Sequence, residues 1–548
     1  MRVFASICFL FCATLLAQEE GYWIQFTDKN NTPFSVSQPE QFLSERAIQR
    51  RIKFNISVTE EDLPVDPAYI QAVLSGANCR LHHTSRWFNA ITVFTEDSLY
   101  MQQVASWSFV LQVQKTKPDD GRSMSSESKF ATVSLCNCPY SPAEISGAAY
   151  EQNKMVGVDK LHLKGFTGMG VHIAVLDSGF DLVDQNEFFT RLFENNQILG
   201  THDFVDGDSH VYGHHFHGTA VLSVMAAYKA REFVGTAPDA AYYLLRTEDV
   251  ASEYLIEEDN WVAAAEYADS AGVDIINTSL GYTRFDDSTQ NHTYADLDGG
   301  TTRIAIASNI ASSKGILLIT GAGNYGATTW HYISTPADAK NILTVGAVDS
   351  DRNYAAFSSH GPSADGRIKP DVVAQGFQAK LVFPYVEEIF SGNGTSFSAP
   401  IMAGAMACFW QALPQLDNKQ LIQLARQYAH LYPGYNYELG FGVSNLYDAY
   451  VAESGDISDI AFGVYPNPVY DRLHIETKGF SPNVKRTISI TFLDLLGREV
   501  KACTYEITGN EIITLTNEVN CLPSGIYLLK IQEGKTIQCN KIIRVDTN

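Results

Sequence analysis

The chain of 548 residues is 45% apolar and 18% charged, ordinary globular usage that excludes long disorder and collagen-like sequence. Its length exceeds what one hydrophobic core usually supports, so two to four domains are expected at roughly 100 to 200 residues each. Against 39 basic residues stand 62 acidic ones, a formal charge of -23; such a surface repels phosphate backbones, and nucleic acid is excluded as a partner.

Met1-Arg2, an apolar run from Val3 to Leu16 and then Ala17 read as a signal peptide over 1–17. The run falls short of the roughly 20 residues a spanning helix needs, and no later segment reaches that length. An exported, soluble, monomeric protein is expected. Of nine cysteines, Cys8 and Cys12 lie in the signal. The rest are spread too thinly for a disulfide-built scaffold and include no paired CxxC units of the zinc-binding kind. Cys408, in an apolar helical stretch, reads as a core thiol.

Residues 18–118 mix short strands, 22–26 and 88–94, with helical runs at 66–74 and 97–106, a small α+β unit. The stretch 119–149, rich in Ser, Asp, Lys and Pro, breaks the periodicity and is expected to be an exposed linker open to cleavage. From 150 to 455 strands predicted at 171–176, 241–245, 273–277, 316–320 and 342–345 alternate with helices at 217–229, 259–270, 302–313, 398–411 and 418–429. Such alternation demands crossovers, hence a three-layer αβα domain around a parallel sheet. Beyond 463 the helices stop. Strands at 473–475, 488–492 and 526–531, separated by turn residues, predict an all-β sandwich over 463–548.

Open parallel sheets carry functional groups at the carboxyl ends of their strands. Three places fit. Asp177 leaves the run Val171 to Leu176 into Ser178-Gly179; its blander reading is a turn-capping Asp. His217 opens a small-residue helix in Phe216-His217-Gly218-Thr219; capping is the bland alternative, and zinc binding by His214, His215 and His217 lacks the H-E-x-x-H pattern and any acidic ligand at helical spacing. Ser396 lies in Gly394-Thr395-Ser396-Phe397-Ser398-Ala399-Pro400. Pro400 is expected in a first helical turn, which places Ser396 at or just before a helix start, where an N-cap serine is the bland alternative.

These three segments resemble the signatures of the subtilisin-like serine proteases, in the family's order Asp, His, Ser. Gly321-Ala322-Gly323-Asn324 resembles the segment carrying the family's oxyanion-hole asparagine, and Asn277-Thr278-Ser279-Leu280-Gly281 resembles the wall of its specificity pocket. The likeness extends over nearly all of 155–450, with one departure, Gln375-Gly376 where Pro-Gly is common. The resemblance implies a secreted serine endopeptidase of broad specificity with Asp177, His217, Ser396 and Asn324 catalytic, and with Ser279, Leu280, Gly281, Gly321, Ala322 and Gly323 binding a protein or peptide strand. Since the base must be neutral, activity is expected to fall below about pH 6 to 7. No cofactor is required; a structural Ca2+ at Asp203, Asp206 and Asp208 is the one metal the resemblance raises. The alternative is a surface adhesion protein on an inactive subtilisin-like scaffold.

The segment before 119 resembles a subtilisin propeptide in position and element order, which implies templated folding and inhibition until cleavage. Tyr465-Pro466-Asn467-Pro468, Leu473-His474-Ile475, Asp494-Leu495-Leu496-Gly497-Arg498 and the run from Ser524 to Lys530 resemble the sorting domain of Bacteroidetes type IX secretion. That implies passage through periplasm and outer membrane by the type IX machinery, to the cell surface or beyond.

Overall fold

The computed structural model describes residues 19–76, 78–118, 132–134, 145–385, 388–455, 461–480, 485–534 and 536–546; the signal peptide expected at 1–17 and most of the linker expected at 119–149 lie outside them. Two units divide the chain, 1–446 and 447–548.

Runs such as Ile173-Ala174-Val175-Leu176 are apolar without alternation, as strands covered on both faces must be, and each of these residues is fully buried. They build a seven-stranded sheet in the order Val372–Gln375, Leu343–Val348, Leu317–Gly321, Ile275–Thr278, His172–Asp177, Ala241–Arg246, Ile198–Asp203. Every neighbouring pair is parallel. On one side Ala174, Leu176, Ile276 and Leu318 share a core with Trp261, Ala265, Ile304 and Ala307 from the helices Ile256–Ala271 and Arg303–Ser313. The helix Thr395–Ala412 packs against His217–Ala226 and four of the strands. Helices on both faces make the expected αβα domain.

Two expectations need correction. The helix expected at 217–229 ends at Ala226, because Ala227 turns extended (φ -61°, ψ 141°) and feeds the short strand Tyr228–Lys229. Pro400 sits in the second turn of Thr395–Ala412, as its sixth residue, not in the first. A helix tolerates this where the carbonyl four residues back finds another donor, and Ser396 O does.

The N-terminal part of the first unit is a four-stranded antiparallel sheet, ordered Arg80–Ser85, Ala90–Thr95, Glu20–Phe26, Val110–Lys117. Period two sorts its faces. Tyr22, Ile24 and Phe26 join Val73, Ile91, Val93, Met101 and Val104 in a core under the helices Pro67–Leu74 and Ser98–Val104. Trp23 and Thr92 face the helices Arg303–Ser313 and Ile256–Ala271 instead: the Arg303 guanidinium lies 4.1 Å from the Trp23 ring centroid, and Thr92 Oγ1 donates to Asp259 Oδ2 at 3.3 Å. The helix Glu45–Lys53, capped by Ser44 and absent from the sequence prediction, contributes Arg50 and Arg51 to the same interface.

That interface is built around two carboxylates one helical turn apart, Glu266 and Asp269. Glu266 accepts from Ser85 Oγ (2.6 Å), Arg86 N (2.8 Å) and Trp87 N (3.2 Å). Asp269 accepts from Arg50 (2.5 Å), Arg51 (2.8 Å) and Arg86 (2.7 Å). Burial raises the Glu266 carboxyl above its ordinary range, and the surrounding donors keep the two acids from standing uncompensated.

The second unit has two sheets around one core: Ala461–Tyr465, Leu473–Lys478 and Ile512–Leu515 in one, Glu499–Ile507, Arg486–Leu493, Gly525–Glu533 and Thr536–Arg544 in the other. Alternation is explicit in Arg486–Leu493, where Ile488, Ile490 and Phe492 are buried in the shared cluster and their neighbours are not.

Candidate active site

The parallel register sets three strand ends level. Thr278 lies beside Leu176 and Thr320 beside Thr278, so Asp177, Ser279 and Gly321 emerge side by side at the carboxyl edge of adjacent strands. Two helices begin at the same edge: His217 is the first residue of one and Ser396 the second of the other.

Glycines make the first approach possible. A Cβ on Gly218 would fall 2.2 Å from Gly179 O, and Gly179 itself holds φ +135°, a conformation that only glycine adopts at no cost. The start of the histidine helix can thus press onto the loop after Asp177. Asp177 Oδ1 lies 2.8 Å from His217 Nδ1 and also accepts from Ser178 N (2.8 Å) and Ser178 Oγ (3.1 Å). A carboxylate only accepts, so the imidazole proton sits on Nδ1 and, in the neutral ring, the Nε2 lone pair is left for a proton. Both residues are shut from water, at 0% and 1% exposure.

Ser396 is 6% exposed. Its Oγ donates to Ser279 O at 3.2 Å, and Ser279 Oγ donates back to Ser396 O at 3.0 Å. Asn324, just past the strand Leu317–Gly321, turns its carboxamide oxygen to Thr395, accepting from N (2.9 Å) and Oγ1 (3.2 Å). Because a backbone N–H can only donate, this contact fixes the amide orientation and leaves the NH2 end of Asn324 to donate elsewhere. Thr395 Oγ1 in turn accepts from Gly323 N at 3.1 Å. Thr395 and Ser178 were missed by sequence reasoning although each adjoins a motif residue; a hydroxyl beside a motif acid or serine was the available signal. The expected strand-binding residues fall into two segments, Ser279-Leu280-Gly281 and Gly321-Ala322-Gly323, at and just past the carboxyl ends of the paired strands Ile275–Thr278 and Leu317–Gly321.

The sequence model of the Subtilase family matches residues 168–442, the span that holds every one of these groups. The chain belongs to the subtilase family. This subtilase is 28% identical over 269 residues to Subtilisin DY of Bacillus licheniformis, covering 49% of its own length and 86% of that protein. It is 30% identical over 261 residues to Subtilisin BL of Lederbergia lenta, covering 47% and 83%. Of solved structures, MycP1 from the ESX-1 type VII secretion system aligns at 21% identity over 58% of this subtilase and 89% of that chain, with a TM-score of 0.45. Residues 21–130 match the Peptidase S8 propeptide domain of Bacteroidota, and 463–545 match the secretion system C-terminal sorting domain. The subtilase is therefore a serine endopeptidase made as a propeptide-bearing precursor and sorted by type IX secretion to the cell surface or outside it. Among its described residues no helix is long and apolar enough to cross a membrane.

The acidic loop of the subtilase does not fit calcium as it stands. Asp203, Asp206 and His214 bring ligand atoms within 4.8 Å of one another, but Arg246 Nη1 donates to Asp203 Oδ2 and Asp206 Oδ2 at 2.7 Å each. Asp208 Oδ1 accepts from His210 N at 2.7 Å. A guanidinium already supplies the positive charge a divalent ion would bring. At the Gln375-Gly376 departure, Gln375 Nε2 faces Phe377 O (3.4 Å) and Gln378 O (3.3 Å), tying the loop that proline would otherwise stiffen. Cys408 is buried, its Sγ 3.1 Å from Thr236 O and its thiol pushed up by burial, as a core cysteine.

Proposed function

We propose that this subtilase cleaves peptide bonds of broadly varied sequence through a triad of Asp177, His217 and Ser396 and an acyl-enzyme intermediate, acting as a monomer. The observation that carries the reading is the buried 2.8 Å contact of Asp177 with His217 Nδ1, which leaves Nε2 as the base at an edge shared with Ser396. A serine hydroxyl is a weak nucleophile, so it turns about χ1 from Ser279 O to His217 and gives up its proton as Oγ attacks the carbonyl carbon. His217 then passes that proton to the leaving amine, and water repeats the attack to release the acid. Asp177 orients the ring and stabilises its charged form. The negative oxygen of each tetrahedral intermediate takes hydrogen bonds from Asn324 Nδ2 and Ser396 N, as an oxyanion hole requires.

A substrate lying as an added strand between Ser279-Leu280-Gly281 and Gly321-Ala322-Gly323 is read mainly through its backbone, which supports broad specificity. In this reading residues 21–130 template folding and inhibit until cut. The chemistry draws on no cofactor; a structural Ca2+ at the 203–208 loop would first have to displace Arg246, and melting in calcium against EDTA tests that.

Fluorophosphonate labelling of the purified processed protein is the deciding experiment. Label on wild type and none on Ser396→Ala is expected; an unlabelled wild type overturns the triad.

A further inference from the structure

Pro400 and Ser279 together create a feature that the reaction steps above do not use. In an α-helix the N–H of residue i bonds to the carbonyl of residue i−4, and for Pro400 that carbonyl is Ser396 O. Proline brings no N–H, and its ring crowds the same carbonyl outward. The carbonyl turned out of the ladder meets Ser279 Oγ at 3.0 Å, on the neighbouring strand end. Ser279 Oγ accepts from Asn277 Nδ2 at 3.1 Å, so its hydrogen is directed to Ser396. Ser396 Oγ closes the pair on Ser279 O at 3.2 Å, and both serines are buried.

We infer that Ser279 is a positioning residue for Ser396: its hydroxyl supplies the donor that Pro400 withholds, and so pins the start of the helix Thr395–Ala412 to the sheet edge. This role is separate from the strand-binding one expected of Ser279 and rests on the triad reading of Ser396. A backbone displaced at Ser396 moves the nucleophile and the Ser396 N–H donor together, and small displacements of reacting groups are costly in rate. A residue that served only as a cleft wall would alter substrate affinity instead.

The two roles separate in a double-mutant cycle on the processed enzyme. Ser279→Ala is expected to lower kcat about ten- to hundredfold with KM changed less than about threefold, the pattern of an interaction felt in the transition state. Ser279→Thr, which keeps the hydroxyl, retains kcat within about threefold of wild type. Pro400→Ala returns an N–H to the helix, so in the Ser279→Ala background it recovers at least about threefold in kcat that it does not give to wild type. Should Ser279→Ala fail to accumulate as processed enzyme, the added Pro400→Ala must restore processing. A Ser279→Ala effect confined to KM, strict additivity of the two changes, or a double variant that still fails to process overturns the inference. Fluorophosphonate labelling of wild type, run alongside, keeps the outcomes apart: no label on wild type overturns the triad, whereas normal label with any of those three results overturns only the role of Ser279.

Discussion

Asn324 Oδ1 accepts the Thr395 backbone N–H at 2.9 Å, so Thr395 dictates which way the carboxamide faces. The NH2 end is thereby kept as a donor. Asn324→Ala is expected to cut kcat about 100- to 1,000-fold, the range known for such an oxyanion donor in subtilisins, with KM little changed. Asn324→Asp should do no better, since a carboxylate satisfies Thr395 but offers no donor. Steady-state kinetics on a peptide ester would contradict this if KM rose while kcat held.

Asp269 is buried between Arg50, Arg51 and Arg86. Removing one partner of a buried ion pair leaves the other charges without compensation, typically about 3–5 kcal/mol, and here three guanidiniums are affected at once. Asp269→Asn should therefore lower the melting temperature of the full-length Ser396→Ala precursor and reduce the yield of processed enzyme. An unchanged melting curve and yield would show that the propeptide is held without any contribution from Asp269.

Thr132 pairs with Asn393, Val133 with Gly392 and Ser134 with Ser391, next to the strand that runs into the serine helix. The strand Glu388–Asn393 runs on to Ser396, three residues past Asn393. The propeptide match stops at residue 130. Maturation is expected within a few residues on the N-terminal side of Thr132, and N-terminal sequencing of the processed enzyme checks it. A mature chain beginning after Ser134 would contradict the register.

Much of this was legible in the sequence because both-face burial writes itself as unbroken apolar runs: the five inner strands were found with ends displaced by up to three residues. The edge strands were not. Ile198–Asp203 reads I-L-G-T-H-D, with one side open and a glycine inside, and Val372–Gln375 is only four residues long. The placing of Asp177, His217 and Ser396 at strand and helix ends was legible because an apolar run starts or stops beside each. Pro400 misled by one turn, since the propensity rule knows nothing of the Ser279 hydroxyl that compensates it. The helix Glu45–Lys53 was not read from the sequence; its Arg50 and Arg51 are buried against Asp269, a partner distant in the chain.

The propeptide interface carries two histidines whose protonation works against it. His82 Nε2 lies 3.1 Å and His83 Nε2 3.0 Å from the same Asn260 Oδ1, and His83 Nε2 also lies 2.7 Å from Phe204 O. Burial is the main cause that lowers both, His82 to about 2 with His83, Arg80 and Lys117 adding repulsion, His83 to about 4 with His202 adding to it. Both rings are therefore neutral in the complex. Above the ordinary imidazole value near 6.5 the bound and free forms carry the same charge and nothing is lost. As pH falls from there toward 4, the released propeptide binds protons that the complex must exclude, and association weakens by up to about tenfold per pH unit for each histidine. Asp259 acts in the opposite sense: burial raises it to about 6 despite Arg303, so the complex holds a proton there, and Glu266 is raised likewise. The net slope is the balance of these groups, which the variant His82→Gln/His83→Gln resolves because it leaves the acids in place. Between pH 7.5 and 5 the processed wild-type complex should lose affinity for its propeptide by at least about tenfold more than the variant does. Gel filtration of the two complexes across that range reads the difference, and parallel release curves would remove the histidines from the account.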